Sequence, residues 1–477
     1  MNPVRSLLAF LILLSIAGLG LAQEEYDLVI ADGRVMDPES GLNEIRHVGI
    51  LDGKIAAISE TPLSGRETID AAGLVVAPGF IDMHQHAWDA DSVRMKIRDG
   101  VTSALELEVG TDDVAAWYAQ NEGKLPFHHG VSVGHIKVRM QVMGDFPSFL
   151  PKADSKAATV EASAQQVETL KTGIQRGLDE GAVAVGFGLA YTPATSRWEI
   201  LEMFRVAAKN EASCHVHIRT RRKESVEGVA EVIAASAISG APLQIVHLQS
   251  TGAGETPKLL QMVSEARSNG LDVISEIYPY TAGMTDIKSA IFADGWQRNF
   301  ELNYSDLQWG ETGERLTEAT FTQHRETGGL VIVHSNTEEI VTHAIKDPHA
   351  LIASDGLKGH PRNAGTFARV LGYYTRERGE LDLMTALRKI SLMPAQRLEK
   401  RIPAMKNKGR IKPGADADLT LFDPETVTDV ATFTDAEKMS SGIPFVIVGG
   451  TPVVRDSTIV HETFPGKAIR APQKQSH

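Results

Sequence analysis

The chain has 477 residues, of which 42% are hydrophobic, and its formal net charge is -13 at neutral pH. This length exceeds the size at which a single hydrophobic core usually stops growing, so we expect one large domain with a smaller companion. Lysine and arginine are interspersed among the more numerous acids, which offers no basic face to a phosphate backbone or to anionic lipid and excludes nucleic acid as an expected partner.

The N-terminus has the pattern of a secretory signal peptide. Arg5 precedes an apolar run over residues 7–21, and small residues at Gly20 and Ala22 predict cleavage after Ala22. An uncleaved membrane anchor is the alternative, but the run is shorter than the ~20 apolar residues that a membrane span needs. We therefore expect secretion across the inner membrane into the periplasm, with no stable membrane span after cleavage. A single cysteine, Cys214, excludes an intrachain disulfide.

Both ends of the remaining chain are predicted to form short strands. Residues 23–77 and 405–467 alternate apolar and polar residues around glycine and proline turns. Two separate small domains are the alternative, but each end alone would leave strand edges unpaired. We therefore predict one small β-sandwich built from both chain ends, followed by a tail at residues 468–477.

The central part, residues 78–404, has the pattern of an α/β fold. Apolar runs alternate with longer helical patterns, which is typical of βαβ units and a parallel sheet, here a TIM-like (β/α)8 barrel. Nine runs qualify as strands: GFIDMH, VTSALELE, VSVGHI, AVAVGFG, SCHVHI, LQIVHL, DVISEI, LVIVHS and LIASD. We assign LVIVHS to an insertion at about residues 283–347, because that long, polar and aromatic-rich stretch suits a lid better than a barrel turn.

Two histidines at the end of the first barrel strand could share a metal ion. His84 and His86 stand two apart in GFIDMHQHAWD, so both side chains project from the same strand face. Such a pair alone is weak evidence, since paired core histidines are common. Its position strengthens the interpretation, because a barrel presents functional residues at the C-terminal ends of its strands.

Three more candidates end later strands: His217 in CHVHIR, His247 in IVHLQ and Asp355 in IASDG. All of these side chains could meet at the C-terminal face of the barrel. His215 lies on the same strand face as His217 and competes with it. The order of two histidines, one histidine, one histidine and one aspartate resembles the pattern of the amidohydrolase superfamily over nearly the whole chain. That resemblance also implies a sandwich made from both chain ends.

Local segments resemble one branch of that superfamily, the N-acyl-D-amino-acid deacylases, which include D-aminoacylases and D-glutamate deacylases. The segments are GLAYTP, EIYPYTAGMT, SDG followed by HPRNAGTFARVLGYY, and MPAQRLE. The resemblance implies a hydrolase of linear amide bonds, with N-acyl-D-glutamate as one candidate substrate. The segment HIR resembles the His-x-Arg of D-aminoacylases, which favours His217 over His215. A cyclic amide or ureide hydrolase and a non-catalytic periplasmic solute- or metal-binding protein are the alternatives.

The chain departs from D-aminoacylases after the second strand. Where they have Asn-Cys-Gly, this chain has ELEVG, so a carboxylate must replace the metal-binding cysteine. Glu106 and Glu108 project to the same face, and either could bridge two metals. We prefer Glu108 because it lies nearer the strand's end. No lysine lies on the fourth strand, AVAVGFGLAY, so a carbamylated-lysine bridge is not expected, which also argues against the cyclic amide hydrolases.

The second departure is Gln249, which stands where D-aminoacylases usually have a carboxylate-binding lysine. We predict that Gln249 contacts the substrate and that Arg219, Arg362 or Tyr280 supplies the missing carboxylate contact. The alternative is a substrate that carries no carboxylate at this position. Tyr191 or His247 could stabilise the oxyanion of the tetrahedral intermediate.

We expect one or two divalent metal ions, zinc first, because the ligands are rich in histidine. Asp355 would act as general base and then general acid, a role that a binding protein does not need. The expected partner is a small N-acyl amino acid. The sequence leaves open the chirality and acyl chain of the substrate, the number of metals and whether the chain forms a homo-oligomer.

Overall fold

Three sheets organise residues 25–474, the part of the chain that the computed structural model describes. The predicted signal peptide at residues 1–22 lies outside these residues. Within the described part, no helix combines the length and the apolar character needed to cross a membrane. The strands are numbered β1 to β20 along the chain.

The N-terminal part contributes five strands to the first sheet: β1 (Tyr26–Asp37), β2 (Leu42–Leu51), β3 (Lys54–Ser59), β4 (Gly65–Asp70) and β5 (Val75–Pro78). The barrel strands follow: β6 (Phe80–Asp82), β7 (Val101–Thr111), β8 (His128–Gly134), β9 (Val185–Gly188), β10 (Cys214–His217), β11 (Leu243–Ile245), β12 (Val273–Ile277) and, after an insertion, β16 (Ala350–Ile352). These eight strands form one parallel sheet whose neighbours follow chain order. The predicted α/β barrel fold is confirmed.

Most helices of the described part connect the barrel strands or follow the last of them, and two, Trp296–Phe300 and Glu318–Thr327, belong to the insertion. The helix bounds are Ala90–Arg98, Val114–Asn121, His135–Met143, Lys156–Thr159, Ala164–Asp179, Arg197–Lys209, Ser225–Ser239, Leu248–Gly252, Thr256–Ser268, Trp296–Phe300, Glu318–Thr327, Glu338–Lys346, Arg362–Arg369, Leu383–Leu387 and Met393–Leu398. The longest of them begins with a capping box between Ser163 and Gln166. It buries Val167, Leu170 and Ile174, a spacing that places all three on one helical face.

Loop contacts close the barrel between β6 and β16, the two ends of the sheet. The backbone nitrogen of Gly356 donates to the carbonyl of His84 at 3.2 Å, and the nitrogen of His86 donates back to Gly356 at 3.0 Å. Beneath them, the fully buried Lys96 ammonium lies 2.8 Å from Asp82 Oδ2 and 2.6 Å from Ser354 Oγ. These bonds fix the first and last barrel strands against each other directly below the predicted metal ligands.

The two chain ends meet in one nine-stranded sheet. Its C-terminal members are β17 (Leu419–Phe422), β18 (Phe445–Val448), β19 (Thr451–Arg455) and β20 (Thr458–Ile459). The order is β20-β19-β18-β17-β5-β1-β2-β3, and β4 pairs with β1. Because β17 pairs with β5, the smaller domain predicted from both ends is a single connected sheet with its own apolar core.

The insertion forms a third, antiparallel sheet in the order β13-β15-β14. Its strands are β13 (Ala282–Asp286), β14 (Leu307–Trp309) and β15 (Leu330–His334), so LVIVHS lies outside the barrel. An aromatic cluster that includes Phe292, Trp296 and Phe321 holds this insertion together. It has a core of its own, as a lid over the barrel requires.

The predicted tail packs on the N-terminal side of the barrel. The backbone nitrogen of Ile469 donates to the carbonyl of His129 at 2.7 Å, and that of Ala471 donates to Gly181 at 3.0 Å. Ile469 and Ala471 are buried with core residues of the barrel. Residues 468–474 are therefore part of the folded structure.

Candidate metal centre

Six side chains that can ligate a metal meet at the C-terminal ends of the barrel strands. They form two groups, within each of which the ligand atoms lie within 4.8 Å of one another. The first group is His84, His86, Glu108 and Asp355, and the second is Glu108, His217 and His247. Glu108 belongs to both, so the arrangement suits two ions that share one carboxylate.

Glu108 lies at the centre of this arrangement. Its Oε2 is 2.7 Å from His84 Nε2, and its Oε1 is 3.0 Å from His217 Nδ1. Nε2 of His247 lies 3.8 Å from Oε2. Burial alone would raise the pKa of Glu108, but the hydrogen bonds from His217, His247 and His84 hold it well below its usual value. Glu108 is therefore an anion available to bridge.

The donor set fits divalent metal. Nε2 of His217 is buried and has no hydrogen-bond partner among the described residues, although a buried imidazole nitrogen normally has one. Burial would lower the pKa of His84, yet the negative charges of Glu276 and Asp355 raise it well above its usual value. A cation would neutralise that negative charge, and imidazole nitrogens with carboxylate oxygens are ligands that zinc accepts.

His84 and His86 each contact a carboxylate through the ring nitrogen Nδ1, on the side away from the metal centre. Glu276 Oε1 lies 2.6 Å from His84 Nδ1, and its other oxygen accepts from Gln244 Nε2 at 2.7 Å. Glu106 Oε2 lies 2.5 Å from His86 Nδ1. Such partners fix the tautomer and orientation of a ligand imidazole. Our sequence reasoning missed Glu276, although an acid within the buried strand DVISEI was the signal for it.

Glu106, the alternative to Glu108 as a metal ligand, lies outside both ligand groups. Its Oε1 accepts from the backbone nitrogens of Val109 at 3.0 Å and Gly110 at 3.3 Å, while its Oε2 faces His86. Both oxygens are thus engaged behind the metal centre. Glu108, two residues nearer the strand's end, reaches the ligand groups instead.

Asp355 faces the first group and is bound by an arginine. Its Oδ1 lies 3.3 Å from His86 Nε2 and 3.5 Å from His84 Nε2, and its Oδ2 lies 2.9 Å from Arg362 Nη1. Burial would raise the pKa of Asp355, but Arg362 and then His84 hold it well below its usual value. Asp355 is therefore ionised at neutral pH. Its φ of 49° is left-handed, a strained backbone that active sites often contain.

Of the residues predicted to contact substrate, Tyr191 lines the cavity above the metal centre. Its ring packs edge-on against His217, with centroids 4.9 Å apart. The hydroxyl of Thr285 donates to the hydroxyl of Tyr191 at 3.2 Å, which leaves the tyrosine proton free to be donated into the cavity. Burial raises the pKa of Tyr191, so this proton stays in place at neutral pH.

The other predicted substrate contacts are engaged elsewhere and do not line the cavity. Arg219 lies 3.1 Å from Glu231, and Arg362 Nη1 lies 2.9 Å from Asp355 Oδ2, although the Arg362 guanidinium makes no hydrogen bond within residues 25–474. The amide nitrogen of Gln249 donates to the carbonyl of Tyr278 at 2.8 Å. The Tyr280 hydroxyl donates to Asp429 Oδ2 at 3.4 Å.

The cavity wall combines apolar residues with polar ones that our sequence reasoning missed, among them Arg221, Tyr278, Ser250 and Ser335. The apolar side chains include Phe149 and Leu150 from a barrel loop, and Met284 from the lid. Nothing in the sequence indicated that Arg221 lines the cavity, because the segment TRRKE has the composition of an ordinary charged loop. The lid and the barrel loops together thus enclose the space beside the metal centre.

Comparisons with known proteins agree with this geometry. The model of an amidohydrolase family matches residues 149–454. An N-acyl-D-glutamate deacylase from Alcaligenes xylosoxydans xylosoxydans is 28% identical over 94% of this chain and 97% of its own length. A D-aminoacylase from the same organism is 27% identical over 90% of this chain and 95% of its own. The structure also resembles the crystal structure of N-acyl-D-glutamate deacylase from Bordetella bronchiseptica, with a TM-score of 0.82 and 26% sequence identity. The match covers 94% of this chain and 100% of that one. That crystal structure contains zinc and a phosphonate inhibitor that mimics the tetrahedral intermediate.

Proposed function

Because the chain belongs to the amidohydrolase family, we propose that it is a metal-dependent hydrolase that cleaves the amide bond of N-acyl-D-amino acids. The similar proteins that support this substrate class are the N-acyl-D-glutamate deacylase and the D-aminoacylase. The observation that carries the proposal is the ionised Asp355, which belongs to the first of two ligand groups joined through Glu108. This arrangement supports hydrolysis, because a proton acceptor lies beside the metal ligands.

In the proposed reaction, the ligand groups would hold the metal and Asp355 transfers the proton. A divalent cation held by the two groups, zinc first, would lower the pKa of water towards ~7 and polarise the substrate carbonyl. Asp355 accepts one proton from the attacking water as the new carbon–oxygen bond forms. It then delivers that proton to the departing nitrogen as the carbon–nitrogen bond breaks. The products are a carboxylic acid and a free amino acid.

Two further residues assist Asp355 in this scheme. Arg362, 2.9 Å away, keeps the carboxylate ionised and oriented. Tyr191 donates its hydroxyl proton towards the oxyanion that develops on the carbonyl oxygen. His247, the alternative to Tyr191 for the oxyanion, lies in the second ligand group.

The Tyr191→Phe variant tests the oxyanion role. Losing one donor to the oxyanion typically costs about 100-fold or more in kcat, and we expect a loss of that order with a small change in KM. Steady-state kinetics on an N-acetyl-D-amino acid provides the measurement. Thr285→Val is the matched control, because it removes only the bond to the tyrosine hydroxyl. Equal kcat in wild type and Tyr191→Phe would exclude the role.

A substrate panel tests the function itself. The full chain, loaded with zinc, is assayed against N-acetyl-D-amino acids, their L-enantiomers and a hydantoin. We expect release of free D-amino acid and no ring opening. Ring opening without any deacylation would favour the cyclic amide hydrolases. Calorimetric binding without hydrolysis of any compound would favour a binding protein.

We also propose that the chain is secreted to the periplasm. The support is the sequence pattern of Arg5, the apolar run over residues 7–21 and Ala22. The expected mature protein begins at Gln23, which N-terminal sequencing of a periplasmic fraction would detect. Full-length protein in the membrane fraction would instead support an uncleaved anchor.

A further inference from the structure

Arg221 is the cationic side chain of the cavity lining in the described part of the chain. Its guanidinium carbon lies 3.9 Å from the centre of the Phe300 ring, so the group packs against the lid in a cation–π contact. Burial lowers the pKa of Arg221 to about 10, so its charge is poorly solvated. A cation in this state gains more from a bound anion than an exposed one does.

Two arginines beside Arg221 in the chain, and Arg362, lie near acidic side chains, although the Arg362 guanidinium makes no hydrogen bond among the described residues. Arg219 lies 3.1 Å from Glu231, Arg222 lies 3.6 Å from Glu301 and Arg362 lies 2.9 Å from Asp355. No comparable carboxylate lies within 4.0 Å of Arg221 among residues 25–474. Arg221 therefore has an open position for an anion in the space that the substrate would enter.

Besides Arg221, the cavity wall in the described part of the chain has no lysine or arginine for a second anion, although Ser250, Thr251, Thr285 and Ser335 offer hydroxyl groups. Phe149, Leu150, Met284, Ile291 and Leu357 line it with apolar surface. A second carboxylate placed against them would lose its hydration without gaining a cation, which is costly. An apolar side chain or acyl chain would instead gain by contact with this surface.

On the basis of the proposed function, we propose that Arg221 binds the α-carboxylate of the substrate and that the enzyme prefers N-acyl amino acids with one carboxylate over N-acyl dicarboxylic amino acids. The α-carboxylate is present in every N-acyl amino acid, whereas a side-chain carboxylate is not. Arg221 is thus a specificity-determining residue, and the preference differs from the activity named for the N-acyl-D-glutamate deacylase relative.

Wild-type kcat/KM on four substrates tests the preference. They are N-acetyl-D-methionine, N-acetyl-D-glutamate, N-acetyl-D-glutamine and N-acetyl-D-methioninamide. We expect methionine to exceed glutamate by about 10-fold or more, because the side-chain carboxylate of glutamate would lose its hydration without gaining a cation. Glutamine, which has the shape of glutamate without its charge, should lie nearer methionine. A clear preference for glutamate over glutamine would overturn this part of the proposal.

The Arg221→Gln variant tests the contact. We expect kcat/KM for N-acetyl-D-methionine to fall about 10- to 100-fold, mainly through KM, since the substrate carboxylate is held in ground and transition states alike. Turnover of the methioninamide, which has no carboxylate, should not fall. Arg221→Lys should retain part of the activity, because it keeps the charge.

Lys223→Gln is the matched control, since it removes a charge from the same loop where the side chain is 83% exposed. Its kinetics should match those of wild type. Unchanged KM in Arg221→Gln, or a loss confined to N-acetyl-D-glutamate, would overturn the assignment to the α-carboxylate. Failure of the wild type to hydrolyse any N-acyl amino acid would instead refute the proposed function.

Discussion

Asp355→Asn is expected to lower kcat by about 10²- to 10⁴-fold, the usual range for losing a general acid–base group. An amide keeps the shape of the carboxylate but cannot accept the proton of the attacking water. The ligands His84, His86 and Glu108 remain in the first group, and the second group does not use Asp355. The variant should therefore retain metal. Turnover of an N-acetyl-D-amino acid and metal content by mass spectrometry are measured on the same sample.

A structural cause of the loss can be separated from a chemical one. Asp355→Asn also leaves the buried Arg362 without its partner, which by itself lowers stability. Asp429→Asn is the matched control, because Asp429 lies 3.2 Å from Arg369 and does not line the cavity. It should lower the melting temperature and leave kcat close to wild type. Undiminished turnover in a metal-loaded Asp355→Asn protein would remove Asp355 from the mechanism.

Glu108→Gln is expected to reduce metal content and abolish activity. Its carboxylate is the one ligand that the two groups share, so losing its charge weakens both. Wild type should gain thermal stability when zinc is added, since a ligand that binds the folded state stabilises it, and the variant should gain less. Metal content after dialysis and melting curves with and without zinc are the measurements.

Glu106→Gln is the control for Glu108→Gln, because it lies two residues away on the same strand. Glu106 contacts His86 from behind the metal centre, and losing such a partner typically costs about 10- to 100-fold in affinity or activity. The two variants should therefore differ sharply in metal content. Full metal occupancy in both would contradict the assignment of Glu108 as the shared ligand.

Local patterns in the sequence were enough to predict the barrel and several side chains of the site. Alternating strand and helix periods are properties of short segments, so they identified the barrel strands. The polar, aromatic-rich composition of the stretch around LVIVHS placed that run in the insertion. The spacing of His84 and His86 likewise predicted that both side chains project to the same side, because residues two apart on a strand share a face. The N-terminal pattern was equally local, and the proposal of secretion rests on it alone.

Only the tertiary structure could assign the roles of residues that depend on their exact position along a strand or on partners distant in sequence. Glu106 and Glu108 are chemically alike and project from the same strand face. Their positions along the strand decide their roles: Glu106 contacts His86 behind the metal centre, whereas Glu108 belongs to both ligand groups. Glu276 reaches His84 across 192 residues of sequence.

The dependence on distant partners also explains why the sequence did not identify Arg221 as a residue of the cavity wall. Arg219 and Arg221 are indistinguishable as charged loop residues, but Glu231 binds the first and the lid leaves the second facing the cavity. The sequence by itself determined which segments become strands and which side chains share a face, because those are short-range properties of the backbone. The tertiary structure decided which charges are paired, because pairing depends on residues that only the closed barrel and its lid bring together.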